Sequence, residues 1–199
     1  MALAERLRIS PVLPLLLAAF VWLASPLLLG AILSAAVCHE LGHWLVLRRV
    51  GGRIQRLHIT VFGAEMQVDD RRISYGGELL AAAAGPVSNL LLAAALGLLG
   101  RWWEPMYLFA GAQLVLGAFN LLPALPLDGG RILWLALAWL TEPYTAQRVL
   151  SAVSLAVSLA LLLGGGGLIW RLGGSPFLLV GAVGLAGWNL REIKLAKGG

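Results

Sequence analysis

Three residues within one stretch of five, HELGH at positions 39 to 43, have the types and spacing that metal-assisted hydrolysis requires. A helix places residues i and i+4 on one face, so His39 and His43 can offer their imidazoles to the same metal ion. Glu40, next to the first ligand, can approach a metal-bound water as a general base. The same short pattern also arises by chance on soluble helices, so its surroundings decide between the two interpretations.

The motif lies inside a predominantly apolar stretch, from Leu27 to Leu47. Ionisable side chains near the bilayer centre cost about 2.5 to 3.5 kcal/mol each on insertion scales, so they occur there mainly where they face a polar cavity and serve a function. We therefore predict that His39 and His43 bind a metal ion. Cys38 is a conceivable soft ligand, but it lies about 100° around the helix from His39, which favours a small packing residue.

A catalytic zinc ion takes three protein ligands, so a third must come from elsewhere in the chain. The position six residues after His43 is Arg49, which excludes one soluble pattern. Glu65 has the spacing of a downstream glutamate ligand, but it and His58 fall in a strand-like segment. Asp128 remains, in the run FNLLPALPLDGGRIL, whose prolines and glycines interrupt a helix. Non-helical backbone at membrane depth is tolerated where it lines a cavity or is buried in protein, which suits a carboxylate presented to a metal.

The elements that must position these residues are predicted to be membrane spans. Of the 199 residues, 59% are hydrophobic and 13% are charged, and the mean hydropathy is +0.84, whereas soluble domains carry about 25% charged residues. A spanning helix needs about 20 apolar residues. Six runs qualify, and we predict an all-α membrane protein forming one domain over 1–199, with spans at about 11–26, 27–48, 78–99, 105–140 (interrupted), 147–170 and 175–190.

The distribution of basic residues predicts the orientation. With both termini in the cytoplasm, the outer loops hold only Arg101 and Arg171, and the positive-inside rule favours this arrangement. Residues 1–26 loosely resemble a signal peptide, but their removal would spoil the asymmetry, so we expect them to be retained. The net charge of +5 then reflects topology and anionic lipid, with no need for a nucleic-acid partner. The cytoplasmic set is Arg6, Arg8, Arg48, Arg49, Arg53, Arg56, Arg71, Arg72, Arg148, Arg191, Lys194 and Lys197.

Residues 51–77, between the second and third predicted spans, show a different pattern. Apolar residues alternate around a Gly63-Ala64 pair, which predicts a small β-hairpin. Its exposed edge could hold a substrate in extended form by strand addition. The alternative is a connecting loop with a solvated charge cluster from Asp69 to Arg72.

Taken together, HELGH at 39–43, AAAAGPVSNLLLA at 81–93 and FNLLPALPLDGGRIL at 119–133 resemble the motifs of the site-2 protease family of intramembrane zinc metalloproteases, in that family's order. The resemblance implies one zinc ion bound by His39, His43 and Asp128, with Glu40 as general base. It also implies that Asn89 and Asn120 hold the substrate strand or polarise its carbonyl, although either could instead form an interhelical hydrogen bond.

Within that family the chain looks most like the compact six-span prokaryotic subgroup that includes the stage IV sporulation protease. We expect neither a PDZ-like insertion nor a CBS domain. The resemblance implies a prokaryotic cell-membrane protein that cleaves single-span or membrane-associated proteins, and a regulatory membrane partner is a further hypothesis. Two alternatives are a membrane metal-binding or transport protein and an inactive protease-like scaffold. A transporter would normally have several ionisable groups arranged along a path through the membrane. In this sequence the ionisable residues predicted to lie deep in the membrane form one cluster.

Overall fold

The computed structural model describes residues 7–9, 25–60, 63–69 and 73–172, together with residues 183 and 187. Over this part the protein is helical apart from three short strands. The elements are β1 (Leu7–Ile9), α1 (Pro26–Arg49), β2 (Arg53–Thr60), β3 (Gly63–Asp69), α2 (Tyr75–Leu99), α3 (Pro105–Asn120), α4 (Asp128–Leu140) and α5 (Pro143–Leu172). They belong to two compact units, Met1–Phe119 and Asn120–Gly199.

Three of these helices are long and apolar enough to cross a membrane: Pro26–Arg49, Tyr75–Leu99 and Pro143–Gly167 of α5. They coincide with the predicted spans at 27–48, 78–99 and 147–170. The predicted spans at 11–26 and 175–190 lie outside the described residues, apart from the overlap at 25–26 and the isolated residues 183 and 187. The count of six spans therefore stays a prediction.

The interruption predicted within 105–140 is present. Helix α3 ends at Asn120 and α4 begins at Asp128, so the intervening segment, residues 121–127, breaks the apolar run into helices of 16 and 13 residues. Each is shorter than the roughly 20 residues that a straight span requires.

Helix α1 shows why its sequence forms a membrane helix with one packed face. Ser25 caps its first turn by accepting a hydrogen bond from the Leu28 amide at 3.2 Å, and Pro26 stands at the first helical position, where a missing N–H does no harm. Buried small residues, including Ala31 and Ala35, alternate with exposed leucines and valines such as Val37. The small residues mark the packed face, and the exposed apolar side chains suit lipid.

The strands form a three-stranded sheet in the order β1-β2-β3. Strands β2 and β3 are antiparallel with Thr60 opposite Gly63, and they fall within the segment for which a hairpin is predicted. Strand β1 pairs in parallel with β2, with Leu7 opposite Leu57. The sequence pattern did not predict β1.

In the second unit, the segment 121–127 folds back against the first turn of α4. A Cβ atom on Gly129 would lie 2.5 Å from the Leu122 carbonyl oxygen, so only glycine fits there. The Ser154 hydroxyl of α5 accepts a hydrogen bond from the Leu125 amide at 3.0 Å. The expectation that the glycines of this run interrupt a helix is therefore wrong: Gly129 and Gly130 lie within α4, and their lack of a side chain permits close approach.

Candidate metal centre

The two histidines of HELGH lie one turn apart on α1, and their rings face each other. His39 is buried and His43 is half-buried. The Nε2 atoms are 3.1 Å apart, and the rings meet edge to face with centroids separated by 4.7 Å. The helical spacing therefore does what the sequence predicts, since it directs both Nε2 atoms at one point.

The amide of Asn89, on α2, determines which ring nitrogen of His39 donates a hydrogen bond to it. The Asn89 Nδ2 group lies 3.1 Å from the Ala35 carbonyl oxygen, which can only accept, so this nitrogen is correctly placed as the donor. The Asn89 Oδ1 atom then faces His39 Nδ1 at 2.6 Å. Because Oδ1 can only accept, Nδ1 of His39 carries the proton and donates it to Asn89.

His43 is oriented in the same way by the backbone. Its Nδ1 atom lies 2.7 Å from the carbonyl oxygen of Ala81 on α2, an obligatory acceptor. Nδ1 of His43 is therefore the donor in its neutral ring, and Nε2 retains its lone pair.

When both rings donate through Nδ1, their Nε2 lone pairs face each other at 3.1 Å, so a cation between them would be bound by both. Two nitrogens bound to a tetrahedral zinc ion at about 2.0 to 2.1 Å would be separated by about 3.3 Å. Hydrogen bonding of the second ring nitrogen to an oxygen is also the arrangement that zinc-binding histidines typically show. The donor set of these two residues therefore fits a zinc ion.

A glycine on α2 provides the space for the second imidazole. A Cβ atom on Gly85 would lie 2.7 Å from both Cδ2 and Cε1 of His43, well inside a normal contact. Gly42 of α1 plays the complementary part, because a Cβ atom there would lie 2.7 Å from the Ala84 carbonyl oxygen. Paired glycines thus let α1 and α2 approach closely where His43 reaches its backbone partner.

The two remaining residues predicted to act at the centre lie on α1 and α4. His39 and His43, in the unit Met1–Phe119, and Asp128, in the unit Asn120–Gly199, make up a group of residue types that could hold a metal ion. Asp128 is the first residue of α4, where an acidic side chain complements the positive end of the helix dipole. Glu40 follows His39 on α1, is half-buried, and has its Oε2 atom shielded from solvent.

The other predicted or considered residues take different positions. Asn89 of α2 forms an interhelical hydrogen bond with His39 of α1. Such a bond was one of the two roles considered for Asn89, the other being to position the substrate. Asn120 is the last residue of α3. His58 and Glu65 lie opposite each other in β2 and β3. Cys38 is half-buried, and among the described residues it is not a member of the metal-binding group.

Sequence reasoning missed Gln113, a buried residue of α3 whose Oε1 atom accepts a hydrogen bond from Asn89 Nδ2. It also missed the fit between Gly85 and His43. A signal for Gln113 was present, because an uncharged polar side chain within an apolar run usually finds a partner on another helix. No comparable signal distinguishes Gly85 from the other glycines of the chain.

Comparison with known proteins identifies several that this chain resembles. Residues 98–164 match the model of Peptidase family M50. A zinc metalloprotease of Methanocaldococcus jannaschii is 29% identical in an alignment 138 residues long, which covers 66% of this chain and 40% of that protein. Stage IV sporulation protein FB of Bacillus subtilis is 29% identical in an alignment 155 residues long, which covers 71% of this chain and 54% of that protein. The chain thus spans about half or less of these relatives' length.

A solved structure of a site-2 protease from Methanocaldococcus jannaschii has the same fold, with a TM-score of 0.71, 24% identity, and coverage of 94% of this chain and 89% of that one. The apolar helices and the paired histidines define an integral membrane protein with a metal centre of the HExxH type. The chain is thus similar to Peptidase family M50 over residues 98–164, and its fold is that of a solved site-2 protease. The resemblance stated from its three motifs is confirmed.

Proposed function

We propose that this protein is an intramembrane zinc metalloprotease that hydrolyses peptide bonds in or near the transmembrane segments of other membrane proteins. The observation that carries the proposal is the pair of Nε2 atoms 3.1 Å apart on a membrane helix, with both Nδ1 atoms engaged by oxygens. Such a pair is suited to metal binding. The name of the Methanocaldococcus jannaschii relative, a zinc metalloprotease, supports both the metal and the reaction class.

Asp128 is the third ligand in this proposal. One carboxylate with two imidazoles is a donor set that zinc accepts, and it leaves a fourth position for water or substrate. The ion, when bound, would polarise the scissile carbonyl and lower the pKa of a coordinated water to about 7.

Glu40 acts as the general base. Its carboxylate takes a proton from the attacking water and later passes that proton to the leaving amine. The shielding of Oε2 supports this role, because a carboxylate kept from bulk water interacts more strongly with charge that develops nearby. Glu40 thereby combines two proton transfers that would otherwise need two side chains.

The substrate must present an unwound peptide, since a helix has its own carbonyl groups hydrogen-bonded. Strand β3 stands at one end of the sheet order β1-β2-β3, and we propose that its outer edge adds the substrate as a further strand. Asn120 is proposed to position the bound substrate. Substrates are single-span or membrane-associated proteins, and a regulatory membrane partner would act by gating their access.

The proposal includes a topology. Six spans connected by the strand segment would place both termini in the cytoplasm of a prokaryotic cell, with the β-hairpin on the cytoplasmic side. The excess of basic residues on that side supports this orientation.

Substitution of the base provides the main test. Glu40→Gln should lower cleavage by about 100-fold to 10,000-fold while the zinc content of the purified protein stays at the parent level, because only proton transfer is lost. Cleavage would be followed by immunoblot of tagged single-span proteins co-expressed with the chain, and zinc by elemental analysis in detergent.

Glu104→Gln makes the same chemical change at an exposed carboxylate and serves as the matched control. It should leave both readouts unchanged. Equal turnover by Glu40→Gln and the parent would remove the proposed mechanism.

A further inference from the structure

Three buried polar side chains form a hydrogen-bonded series that connects helices α1, α2 and α3. Gln113 of α3 contacts Asn89 of α2, and Asn89 contacts His39 of α1. The exposed fractions are 2%, 0% and 6%, so all three lie in the interior of their unit. We propose that Gln113 is a positioning residue that, acting through Asn89, holds His39 in the tautomer and ring orientation needed to bind a metal.

In this hydrogen-bonded series, the geometry determines which group donates and which accepts at each step. The Ala35 carbonyl oxygen can only accept, so it fixes the Nδ2 end of Asn89. The same Nδ2 group donates its second proton to Gln113 Oε1. The Asn89 Oδ1 atom is then left to face His39, and it requires the proton of that ring on Nδ1.

Rotation of the Asn89 amide by 180° would reverse this result. The amide nitrogen would then donate to His39 Nδ1, and the ring proton would move to Nε2, which could no longer act as a ligand. Such a rotation turns Oδ1 toward the Ala35 carbonyl oxygen, which can only accept, and toward Gln113 Oε1, so both hydrogen bonds are lost while the Gln113 amide keeps its orientation. Gln113 therefore supplies one of the two interactions that oppose the inactive arrangement.

Helix packing brings α3 close enough for this role. Gly117 lies one turn after Gln113 on the same face of α3, and a Cβ atom there would lie 3.0 Å from the Asn89 Cβ. The absence of a side chain at Gly117 thus lets α3 approach α2 at the position of Asn89. The contact between Gln113 and Asn89 is a product of this approach.

The test separates hydrogen bonding from packing. Gln113→Met keeps the length of the side chain and removes the acceptor, whereas Gln113→Glu keeps an oxygen at the same reach. Gln147→Met makes the same glutamine-to-methionine change in α5 and serves as the control. Each full-length variant would be purified in detergent micelles.

Two measurements would be made on each variant. Correlation of ring nitrogens and carbon-bound protons by NMR on the zinc-free protein reports the tautomer of His39. Competition with a chelator gives the affinity for zinc. In the parent protein and in the variants Gln147→Met and Gln113→Glu, we expect the His39 proton on Nδ1. The affinity of both variants for zinc should equal that of the parent. In Gln113→Met we expect a population with the proton on Nε2 and an affinity lowered by about 10-fold, the lower end of the range for residues that orient a ligand.

An unchanged tautomer and affinity in Gln113→Met would overturn the inference. Equal losses in Gln113→Met and Gln113→Glu would also overturn it, because they would assign Gln113 a packing role. The importance of the metal rests on the proposed function, but both measurements are made without substrate. A protein that shows the expected tautomer change and cleaves no peptide would therefore contradict the proposed function and leave the role of Gln113 intact.

Discussion

A histidine binds a metal through one ring nitrogen, so the partner of the other nitrogen decides whether binding can occur. The two ligands from α1 differ in this respect. His43 donates to the backbone carbonyl of Ala81, which cannot rotate away from it. His39 donates to the side chain of Asn89, whose amide could rotate. The fold itself fixes His43, whereas His39 depends on side chains and is the ligand more sensitive to substitutions in neighbouring helices.

Removal of the proposed third ligand tests the metal centre at the level of one residue. Asp128→Ala should lower the affinity for zinc by more than about 100-fold, because loss of a ligand costs more than the 10-fold to 100-fold typical of its outer partners. Cleavage of co-expressed single-span proteins should be lost with it. Zinc affinity would be measured by chelator competition.

Glu65→Ala is the matched control for Asp128→Ala, since Glu65 has the spacing of a downstream ligand but lies in β3. It should retain zinc. Full zinc binding in Asp128→Ala, accompanied by its loss in Glu65→Ala, would show that the third ligand is Glu65.

At the scale of helices, the close approach of α1 and α2 is what delivers His43 to its backbone partner. This approach depends on residues that have no functional group, chiefly Gly42 and Gly85. They contribute by leaving free the space that a side chain would occupy, which lets the two helices come together.

Gly85→Ala should therefore displace His43 and lower zinc affinity by about 10-fold or more, in the range expected when a ligand loses its orientation. Gly97→Ala is the control on the same helix, because a Cβ atom on Gly97 meets nothing within 4 Å. That variant should bind zinc normally and unfold no more easily, since alanine favours a helix over glycine by about 1 kcal/mol. Equal zinc affinity in Gly85→Ala and the parent would show that His43 does not need this space.

The elements that a local pattern encodes could be predicted, and those that depend on distant contacts could not. The limits of α1 and the helix break before Asp128 follow from apolar run lengths and from proline positions. Strand β1 has only three residues, too few for a periodic pattern, and its partner β2 lies about 50 residues later in the chain. Gln113 likewise acts through contact with another helix, so its role cannot be deduced from the residues beside it.

At the scale of the whole molecule, the directions of α1 and α2 bear on the orientation of the protein in the membrane. The Cβ atom of Val50, just after α1, would lie 3.3 Å from a Cβ built on Gly77, near the start of α2. The end of α1 therefore adjoins the beginning of α2, and the two helices run in opposite directions. Helix α2 has 25 residues, which at about 1.5 Å per residue span about 37 Å. If both helices span the bilayer, Arg49 and Trp102 belong to its opposite sides.

The depth of the metal centre follows from α1. His39 precedes Arg48 by nine residues, which at about 1.5 Å per residue is about 14 Å, close to half of a hydrocarbon core about 30 Å thick. Arg48 lies over the ring of Trp44 at 5.3 Å, an arrangement suited to the interface. If Arg48 and Arg49 face the cytoplasm, water must reach the metal from that side.

Labelling of introduced cysteines tests this orientation. Arg49 and Trp102 are both exposed, so Arg49→Cys and Trp102→Cys should each present an accessible thiol once Cys38 has been replaced by alanine. An impermeant thiol reagent added to intact cells should label only Trp102→Cys, because the positive-inside rule places Arg49 in the cytoplasm. After the cells are opened, both variants should react, which controls for buried thiols. Labelling of Arg49→Cys from outside would invert the topology, and with it the inference that water and substrate reach the metal from the cytoplasmic side.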